Sequence, residues 1–502
     1  MRWLLRDVQP FPPKQSLPMN CDLLIDGHRV VEWTPVGKGQ ESGATVVDVD
    51  GRWLLPAFVD SHQHLLFSAQ RRAENLSVTT SPADLIKTLP ATERGNWLVD
   101  SGWRDPLPDR LIPDPRRFLD SIAQDRPIFL WAIDHHRALV NSAALFEANI
   151  DPQQHSGIAV EEEAERIWRR VPDAEIDLSG RIERLHRLGV AAVTTFDRGV
   201  SRKILQEHCA AGDPGLWIRH GMAGEELLEA IETGEDPKPT SNRESLFLVP
   251  WVKLFLDGTL GSRTAWMKSD YSDQPGERGV RRISKNDLES HVERAASRGW
   301  GLAIHAIGDR AVQEAIAAIL RARELGATAI PHRIEHAQLI DPDDLPALVS
   351  SGAIASVQAC HIIEDRKIAD DRWGDRCMGA FPLATLERAG VPMILGSDAP
   401  IESADPWLDI ASAVNRSDRS CCAQPWVKSE RIVFPRAFHA RTRAAADGNL
   451  LPRGWGTLDP GTHADLQILD ALDPVSITCW QEASIFDMMC LGEWRLGNLE
   501  RL

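Results

Sequence analysis

The feature of this sequence that most constrains its fold is a repeated rhythm of a short apolar run, a polar loop and a helical pattern. Eight such runs follow one another in the 502-residue chain. Strands and helices that alternate in this number are typical of an α/β fold built as a (β/α)8 TIM-like barrel. The runs are, in chain order, AFVDSHQH, AAVTTFD, LWIRHG, WVKLFLDG, GLAIHAIGD, HRIEHAQLI, AIASVQA and PMILGSDAP.

The segment after the fifth run illustrates the helical pattern. Apolar side chains recur there at i, i+4, i+7 and i+8, which places them on one face of a helix. We therefore expect a helix that starts near Asp309 and packs through this face. Its apolar residues are Val312, Ile316, Ile319 and Leu320.

The two ends of the chain differ from the middle and resemble each other. Residues 1–55 contain the alternating runs CDLLIDGHRVVEW and ATVVDVDGRWLL, and residues 450–502 contain GTLDPGTHADLQILD. Alternation broken by Gly, Pro and Asp indicates short antiparallel strands. We expect both ends to form one small domain beside a barrel spanning residues 56–449. The segment of about 66–188, too long for a simple connection, is expected to be an ordered insertion after the first barrel strand.

Composition and charge exclude several kinds of partner. The formal net charge of −17 would repel a polyanion, so nucleic acid is not expected. The opening MRWLLRDVQPFPPK has too short an apolar run for a signal peptide, and no uninterrupted apolar stretch of ~20 residues occurs, so no membrane partner is expected. The 8 scattered cysteines are typical of reduced thiols, and the adjacent Cys421 and Cys422 are more simply a packed or solvated pair than a metal site. The cytoplasm is the expected location.

Several of the apolar runs end, on their C-terminal side, in a residue that can bind a metal. His62 and His64 close the first run, and residues two apart on a strand share a face with Cα atoms ~6.6 Å apart. His305, His336 and Asp398 close three later runs. Each alone has an ordinary explanation, as a buried histidine or a helix-capping aspartate. Together, at the end where barrel enzymes place their sites, they predict a divalent-metal centre.

Lys253 stands between apolar residues in the run WVKLFLDG. A charged lysine in a buried strand is costly unless it is paired. One explanation is an ion pair with Asp257 or another carboxylate. The other is carbamylation by CO2, which turns the amine into an anionic ligand able to bridge two cations.

Two pairs of histidines mimic metal sites without the required geometry. His332 and His336 have helical metal-site spacing, but on a strand they lie ~13 Å apart and cannot share an ion. The adjacent His135 and His136 would point to opposite sides of an extended segment. At most one of the latter pair is therefore expected to serve the site.

An ordered set of motifs resembles the amidohydrolase superfamily, and more closely its YtcJ-like branch, also called amidohydrolase family 3. The resemblance extends over essentially the whole chain. Its motifs are LLPAFVDSHQHL, GWRDPLP, DHHRALVNSAAL, VKLFLDGTLGSRTA, AIHAIGDRAV, HRIEHAQL, GSDAPIESADPW and GTLDPGTHADLQILD.

The resemblance implies a ligand for each of two metal positions. His62 and His64 would bind the more buried ion, carboxylated Lys253 would bridge, and His305 and His336 would bind the second ion. Similar proteins use zinc most often, although imidazole and carboxylate ligands also suit iron, manganese or cobalt.

The resemblance further implies that Asp398 is both a ligand and a proton shuttle, and that the chain ends form a small β-sandwich. Two departures lie in regions expected to face the substrate. Asp134-His135-His136 stands where relatives have Asp-Gly-His, and Gln358-Ala359-Cys360-His361 stands where they tend to have Gln-Pro before the histidine. The substrate is therefore left open.

The predicted function is metal-dependent hydrolysis of a small molecule at an amide or related C–N bond, such as an N-substituted amide, a formamide or a cyclic amide. A metal-activated hydroxide would attack, and Asp398 would move the proton to the leaving nitrogen. The alternatives are a non-catalytic barrel that only binds a ligand, and metal-assisted isomerase or C–C bond chemistry on the same site. A homodimer is left open.

Five further residues are candidates for substrate binding. Arg263 could clamp a carboxylate through both nitrogens or pair with a nearby acid inside the protein. Tryptophans, including Trp131 and Trp373, could line an apolar pocket or simply pack. The five candidates are Arg263, His361, His136, Asn141 and Trp103.

Overall fold

Three β-sheets organise the protein. One sheet has eight parallel strands, a second has five strands, and a third has eight strands from the two chain ends. The computed structural model describes residues 1–14, 17–39, 42–70, 93–103, 114–132, 136–172, 176–237, 243–417, 423–470, 474 and 483–498.

The parallel sheet is the barrel expected from the sequence. Each of the eight predicted runs overlaps one of its strands, and strands neighbour one another in chain order, so the (β/α)8 prediction is confirmed. The strands are β6 (Phe58–Gln63), β12 (Val190–Thr195), β13 (Trp217–Ala223), β14 (Phe247–Phe255), β15 (Gly301–Ala306), β16 (Arg333–His336), β17 (Ile354–Val357) and β18 (Met393–Leu395).

Backbone hydrogen bonds join the first barrel strand to the segment after the last. The Asp398 N–H donates to the His62 carbonyl at 2.7 Å, and the His64 N–H donates to the Ala399 carbonyl at 2.8 Å. A parallel bridge pairs Gln63 with Ala399. These bonds place the ends of β6 and β18 side by side.

Helices cover the outside of the barrel. The helix predicted after the fifth run is confirmed as Asp309–Glu324, with Val312, Ile316 and Ile319 buried. None of the helices in the described part of the chain has the length and apolar character needed to cross a bilayer. The α-helices are Leu65–Ala69, Pro115–Ile122, Ser142–Glu147, Glu162–Trp168, Leu178–Arg187, Ser201–Ala210, Leu227–Glu232, Lys285–Arg298, Asp309–Glu324, Leu345–Ser351, His361–Trp373, Leu383–Ala389, Pro406–Asn415, Phe434–Arg441 and Arg443–Gly448.

The two chain ends form one small β domain, as predicted. The first strand, β1 (Arg2–Pro10), pairs with β2 (Cys21–Asp26) from Arg2 to Val8 and with β5 (Trp53–Pro56) through Gln9 and Pro10. Strand β5 in turn pairs with β19 (Leu466–Leu469), from the other end of the chain. The residue boundaries assigned to this domain stay a prediction. Its strands are β1 (Arg2–Pro10), β2 (Cys21–Asp26), β3 (Arg29–Pro35), β4 (Thr45–Asp48), β5 (Trp53–Pro56), β19 (Leu466–Leu469), β20 (Ile485–Cys490) and β21 (Glu493–Trp494).

The described residues of the insertion after the first barrel strand form a sheet of their own, as expected for an ordered segment. Its strands alternate with helices and enclose separate apolar clusters, one of which contains Phe129, Trp131 and Val140. The strands are β7 (Glu93–Arg94), β8 (Trp97–Trp103), β9 (Ile128–Ala132), β10 (Arg137–Val140) and β11 (Ile158–Val160).

The close approach of β6 and β18 gives a prediction about stability. A Cβ on Gly396 would lie 2.5 Å from the His62 amide nitrogen and 2.7 Å from the His62 Cβ. We expect Gly396→Ala to lower the free energy of unfolding by about 1–3 kcal/mol, because neither backbone can move without opening the barrel. Urea denaturation measures the change. Gly379→Ala is the matched control, since its Cβ would meet only ordinary contacts at 3.8 Å; equal stability of the two variants would contradict the prediction.

Candidate metal centre

The histidines predicted to bind metal meet at the mouth of the barrel. The ring centroid of His336 lies 4.9 Å from that of His62 and 4.5 Å from that of His305. The rings of His62 and His64 are 5.9 Å apart. Closure of the barrel therefore brings together imidazoles that three separate strands carry.

The carboxylate of Asp398 lies between His361 on one side and His62 and His64 on the other. Its Oδ1 is 3.4 Å from Nε2 of His62 and 3.4 Å from Nε2 of His64, whereas its Oδ2 is 3.5 Å from Nε2 of His361. Burial would raise the pKa of Asp398, but the neighbouring His62 and His64 hold it well below its usual value. One donor atom each from His62, His64 and Asp398 lies within 4.8 Å of the others, a spacing that one metal ion could span.

Two of these residues have an uncommon backbone conformation. His336 has φ of 72° and Asp398 has φ of 59°, both in the left-handed region. This conformation interrupts the alternation of side chains between the two faces of a strand, at the end of β16 for His336 and just beyond β18 for Asp398. Residues held there cluster at functional sites, because the surrounding structure must enforce the conformation.

A buried carboxylate fixes the orientation of His62. The Nδ1 of His62 lies 2.7 Å from Oε2 of Glu335, so Nε2 is the nitrogen presented towards Asp398. Arg333 in turn holds both oxygens of Glu335 at 2.8 and 3.1 Å. Burial would raise the pKa of Glu335, but the Arg333 charge and the His62 contact lower it. Such a partner sets the tautomer of a metal-binding imidazole.

Lys253 is buried in β14 with its amine at the floor of the site. Its Nζ lies 4.5 Å from the ring centre of Phe196 and 4.9 Å from that of Phe255, and has no hydrogen-bond partner in the described structure. Burial lowers the pKa of Lys253 to about 8, despite the opposing charges of Glu335 and Asp398. The amine therefore has an enlarged neutral fraction near neutral pH.

Asp257 does not pair with this lysine. Its carboxylate instead accepts hydrogen bonds from the backbone N–H groups of Trp266 at 2.9 Å and Gly308 at 2.8 Å. The ion pair with Asp257 considered from the sequence is therefore not formed, and the carboxylates whose charges act on Lys253 are those of Glu335 and Asp398.

The residues at this mouth fit a divalent cation. Their donors are imidazole nitrogens, a carboxylate and an amine, which suit zinc and neighbouring transition metals. Two of the buried donors, Nζ of Lys253 and Nδ1 of His336, have no hydrogen-bond partner among the described residues. Buried polar atoms are normally paired, so this cluster is chemically incomplete without a further group.

A cavity of about 210 Å³ opens above the cluster, and two of the substrate-binding candidates line it. His361 lies beside Asp398, as described above. His136 enters from the insertion, with its ring 5.8 Å from that of His305 and its Nδ1 3.0 Å from both oxygens of Glu161. Their roles towards a substrate stay a prediction.

Two other candidates have partners inside the protein. Arg263 points its Nε and Nη2 at Asp273, at 3.1 and 2.7 Å, and is not among the residues that line the cavity. Asn141 is fully buried and caps the helix Ser142–Glu147, and its Oδ1 also accepts from the Ile128 N–H at 2.9 Å. Contacts within the protein thus use polar atoms of both residues, and substrate binding by them stays a prediction.

The other residues singled out from the sequence either pack inside the protein or lie outside the described part of the chain. Trp131 packs in the core of the insertion and Trp373 in the main core. His332 accepts from the Leu302 N–H at 3.0 Å, and its other ring nitrogen lies 2.7 Å from the Ala327 carbonyl oxygen, so both nitrogens have backbone partners. The side chain of Trp103, the residues Asp134 and His135, and the pair Cys421 and Cys422 lie outside the described part of the chain.

Several residues at the site were not found from the sequence. Glu335 could have been suspected, because an acid and an arginine two residues apart in the buried run HRIEH need partners. No local signal marks Glu161 or the cavity-lining Arg282, which are joined at 3.2 Å between the insertion and the barrel.

A parallel barrel whose mouth gathers histidines around a buried aspartate defines a metal-dependent hydrolase, and sequence comparison agrees. The profile of the amidohydrolase family matches residues 45–485. The chain belongs to this family.

Individual relatives extend the same finding over nearly the whole chain. The amidohydrolase YtcJ of Bacillus subtilis strain 168 is 28% identical over 470 residues, covering 86% of this chain and 87% of that protein. The N-substituted formamide deformylase of Arthrobacter pascens is 23% identical over 505 residues, covering 90% of each. The crystal structure of an uncharacterized metal-dependent hydrolase from Pyrococcus furiosus is similar with a TM-score of 0.74 at 28% identity, covering 95% of this chain and 100% of that one.

The structural role of Asn141 can be tested directly. Asn141→Ala should lower the free energy of unfolding by about 1–3 kcal/mol, because the helix cap and the acceptor for Ile128 are both lost. Chemical denaturation measures this change, and Asn96→Ala, at an exposed position, is the control. A variant of unchanged stability that bound substrate more weakly would favour substrate binding by Asn141 instead.

Proposed function

We propose that this protein hydrolyses an amide or related C–N bond of a small molecule, with Asp398 as the group that moves the proton. The observation that carries the proposal is the position of Asp398. One oxygen of its carboxylate lies beside the paired histidines of β6 and the other lies beside His361 in the cavity wall. A single carboxylate in this place can serve both a metal and a substrate.

The residues that would hold two cations are those gathered at the mouth. His62 and His64 would bind one ion, His305 and His336 the other, and carbamylated Lys253 would bridge them. The enlarged neutral fraction of the Lys253 amine supports its reaction with CO2, since only the neutral amine is a nucleophile. We propose zinc as the metal, because imidazole nitrogen predominates among the donors. When bound, such cations acidify water and polarise a carbonyl group.

The protein's own side chains would transfer the proton and bind the substrate. Asp398 would accept a proton from water on Oδ2, the oxygen that faces His361, and pass it to the leaving nitrogen. His361 and His136 would donate hydrogen bonds to the substrate from the cavity walls. Glu161 orients the His136 ring through Nδ1, at 3.0 Å.

A substituted formamide or a small cyclic amide is the substrate class we propose. The relative from Arthrobacter pascens is named for action on N-substituted formamides, and the alignment with it covers 90% of each chain. The cavity of about 210 Å³ suits a small molecule. Turnover assays on amides, formamides, hydantoins and lactones separate this class from isomerase or C–C bond chemistry. Cytoplasmic location, a homodimer and the lack of nucleic-acid and membrane partners stay predictions.

The first prediction from this proposal concerns Asp398. Asp398→Asn keeps an oxygen near the histidines but cannot accept a proton at the cavity, so it should retain most of its metal and lose turnover by about 10²–10⁴-fold. Metal content by mass spectrometry and the rate with the best amide substrate are the measurements. Near-normal turnover would remove Asp398 as the proton carrier, and metal-free wild-type protein from metal-replete cells would favour a non-catalytic barrel.

The second prediction concerns Lys253. Lys253→Ala should lose metal, and a short carboxylic acid such as acetate should restore part of the metal and of the activity by occupying the space of the missing carbamate. Lys253→Met is the matched control, because its side chain fills that space and should block the rescue. Full metal occupancy of Lys253→Ala without added acid would contradict the bridging role.

A further inference from the structure

Arg441 is a buried cation whose guanidinium lies between two acids, one of them two residues before His62. It is the last residue of the helix Phe434–Arg441 and is completely inaccessible to solvent. Its Nε donates to Oδ2 of Asp409 at 2.9 Å, and its Nη1 lies 3.2 Å from Oδ1 of Asp60. Both carboxylates are equally buried, so the guanidinium joins two acids in a dry environment.

The first of these acids ties together the backbone segments that carry His62 and Asp398. Asp60 precedes His62 by two residues in β6. Its Oδ1 accepts from the Ser397 N–H at 2.8 Å and its Oδ2 accepts from the Ser397 hydroxyl at 2.6 Å. Ser397 is the residue before Asp398, so one carboxylate sets the spacing between two metal-binding segments.

The second acid ties Arg441 to the segment that carries His361. Asp409 lies in the helix Pro406–Asn415, and its Oδ1 accepts from the Cys360 N–H at 2.8 Å. Cys360 is the residue before His361, whose ring lies 3.5 Å from Asp398. The same guanidinium is therefore connected, through one acid on each side, to the segments that carry two of the three histidines beside the Asp398 carboxylate, His62 and His361.

We propose that Arg441 is a positioning residue that sets the placement of Asp398 relative to His62 and His361. The inference rests on the proposed metal centre. A guanidinium offers donors in a rigid planar fork, so it can hold two carboxylates at a defined angle, whereas an ammonium is a single point of charge. Loss of the fork should leave the fold formed and let the Ser397 and Cys360 segments shift.

The test uses Co2+ as a probe, because its visible spectrum reports the geometry of its ligands. Full-length wild-type protein and Arg441→Lys are stripped of metal and titrated with Co2+. We expect Arg441→Lys to bind Co2+ at least 10-fold more weakly and to show an altered spectrum. Arg416→Lys is the matched control, since Arg416 is as deeply buried but, in the described part of the chain, donates to the backbone carbonyls of Trp426, Phe381 and Ala380. It should match the wild type in both measurements.

Two further variants test the route through the acids. Ser397→Ala removes one hydrogen bond to Asp60. The double variant combines Ser397→Ala with Arg441→Lys. If Arg441 acts through Asp60, this double variant should lose less Co2+ affinity than the product of the two single losses. Asp409→Asn keeps an oxygen for the Cys360 N–H while removing the charge that faces Arg441. Asp409→Asn should alter the Co2+ spectrum in the same direction as Arg441→Lys does. If Arg441→Lys does not fold, Asp409→Asn and Ser397→Ala are used to test the positioning role.

The outcomes separate this inference from the proposed function. Wild-type protein that fails to bind Co2+ would overturn both. Wild-type binding with an unchanged affinity and spectrum in folded Arg441→Lys, or an equal loss in Arg416→Lys, would overturn the positioning role and leave the metal centre standing. If the double variant loses Co2+ affinity by the full product of the two single losses, the route through Asp60 is overturned.

Discussion

Closure of the barrel is the constraint on which the rest of the structure depends. The hydrogen bonds from Asp398 to His62 and from His64 to Ala399 join the first barrel strand to the segment after the last. Because all eight strands are parallel, this closure also brings their carboxyl ends to a single mouth. Histidines and an aspartate that are far apart in the chain thereby come within a few ångströms of one another.

Buried ion pairs behind the mouth keep this arrangement rigid. Arg333 holds Glu335, which holds His62, and Arg441 holds Asp60, which holds the residue before Asp398. Charges in a dry interior are costly unless each has a close partner, so these pairs resist any rearrangement that would separate them. Such rigidity accounts for the left-handed backbone of His336 and Asp398, which an unsupported strand end would relax.

Different parts of the site were predictable to different degrees. His62, His64, His305, His336 and Asp398 each close an apolar run, and the end of a strand is visible in a local pattern. Roles that depend on distant partners were not visible. Arg263 and Asn141 resembled substrate-binding groups because their partners, Asp273 for one and backbone atoms around Ile128 for the other, are known only once the chain has folded.

The sequence by itself determined the barrel, the small β domain and the residues that meet at the mouth, because strand periodicity and the polarity of strand ends are local properties. Only the tertiary structure decided which buried groups face each other. Among the described residues it left the Lys253 amine without a hydrogen-bond partner while Asp257 bonded to backbone, and it placed Arg441 between Asp60 and Asp409. The physical reason is that a pairing energy depends on distances of a few ångströms between segments, which no local pattern specifies.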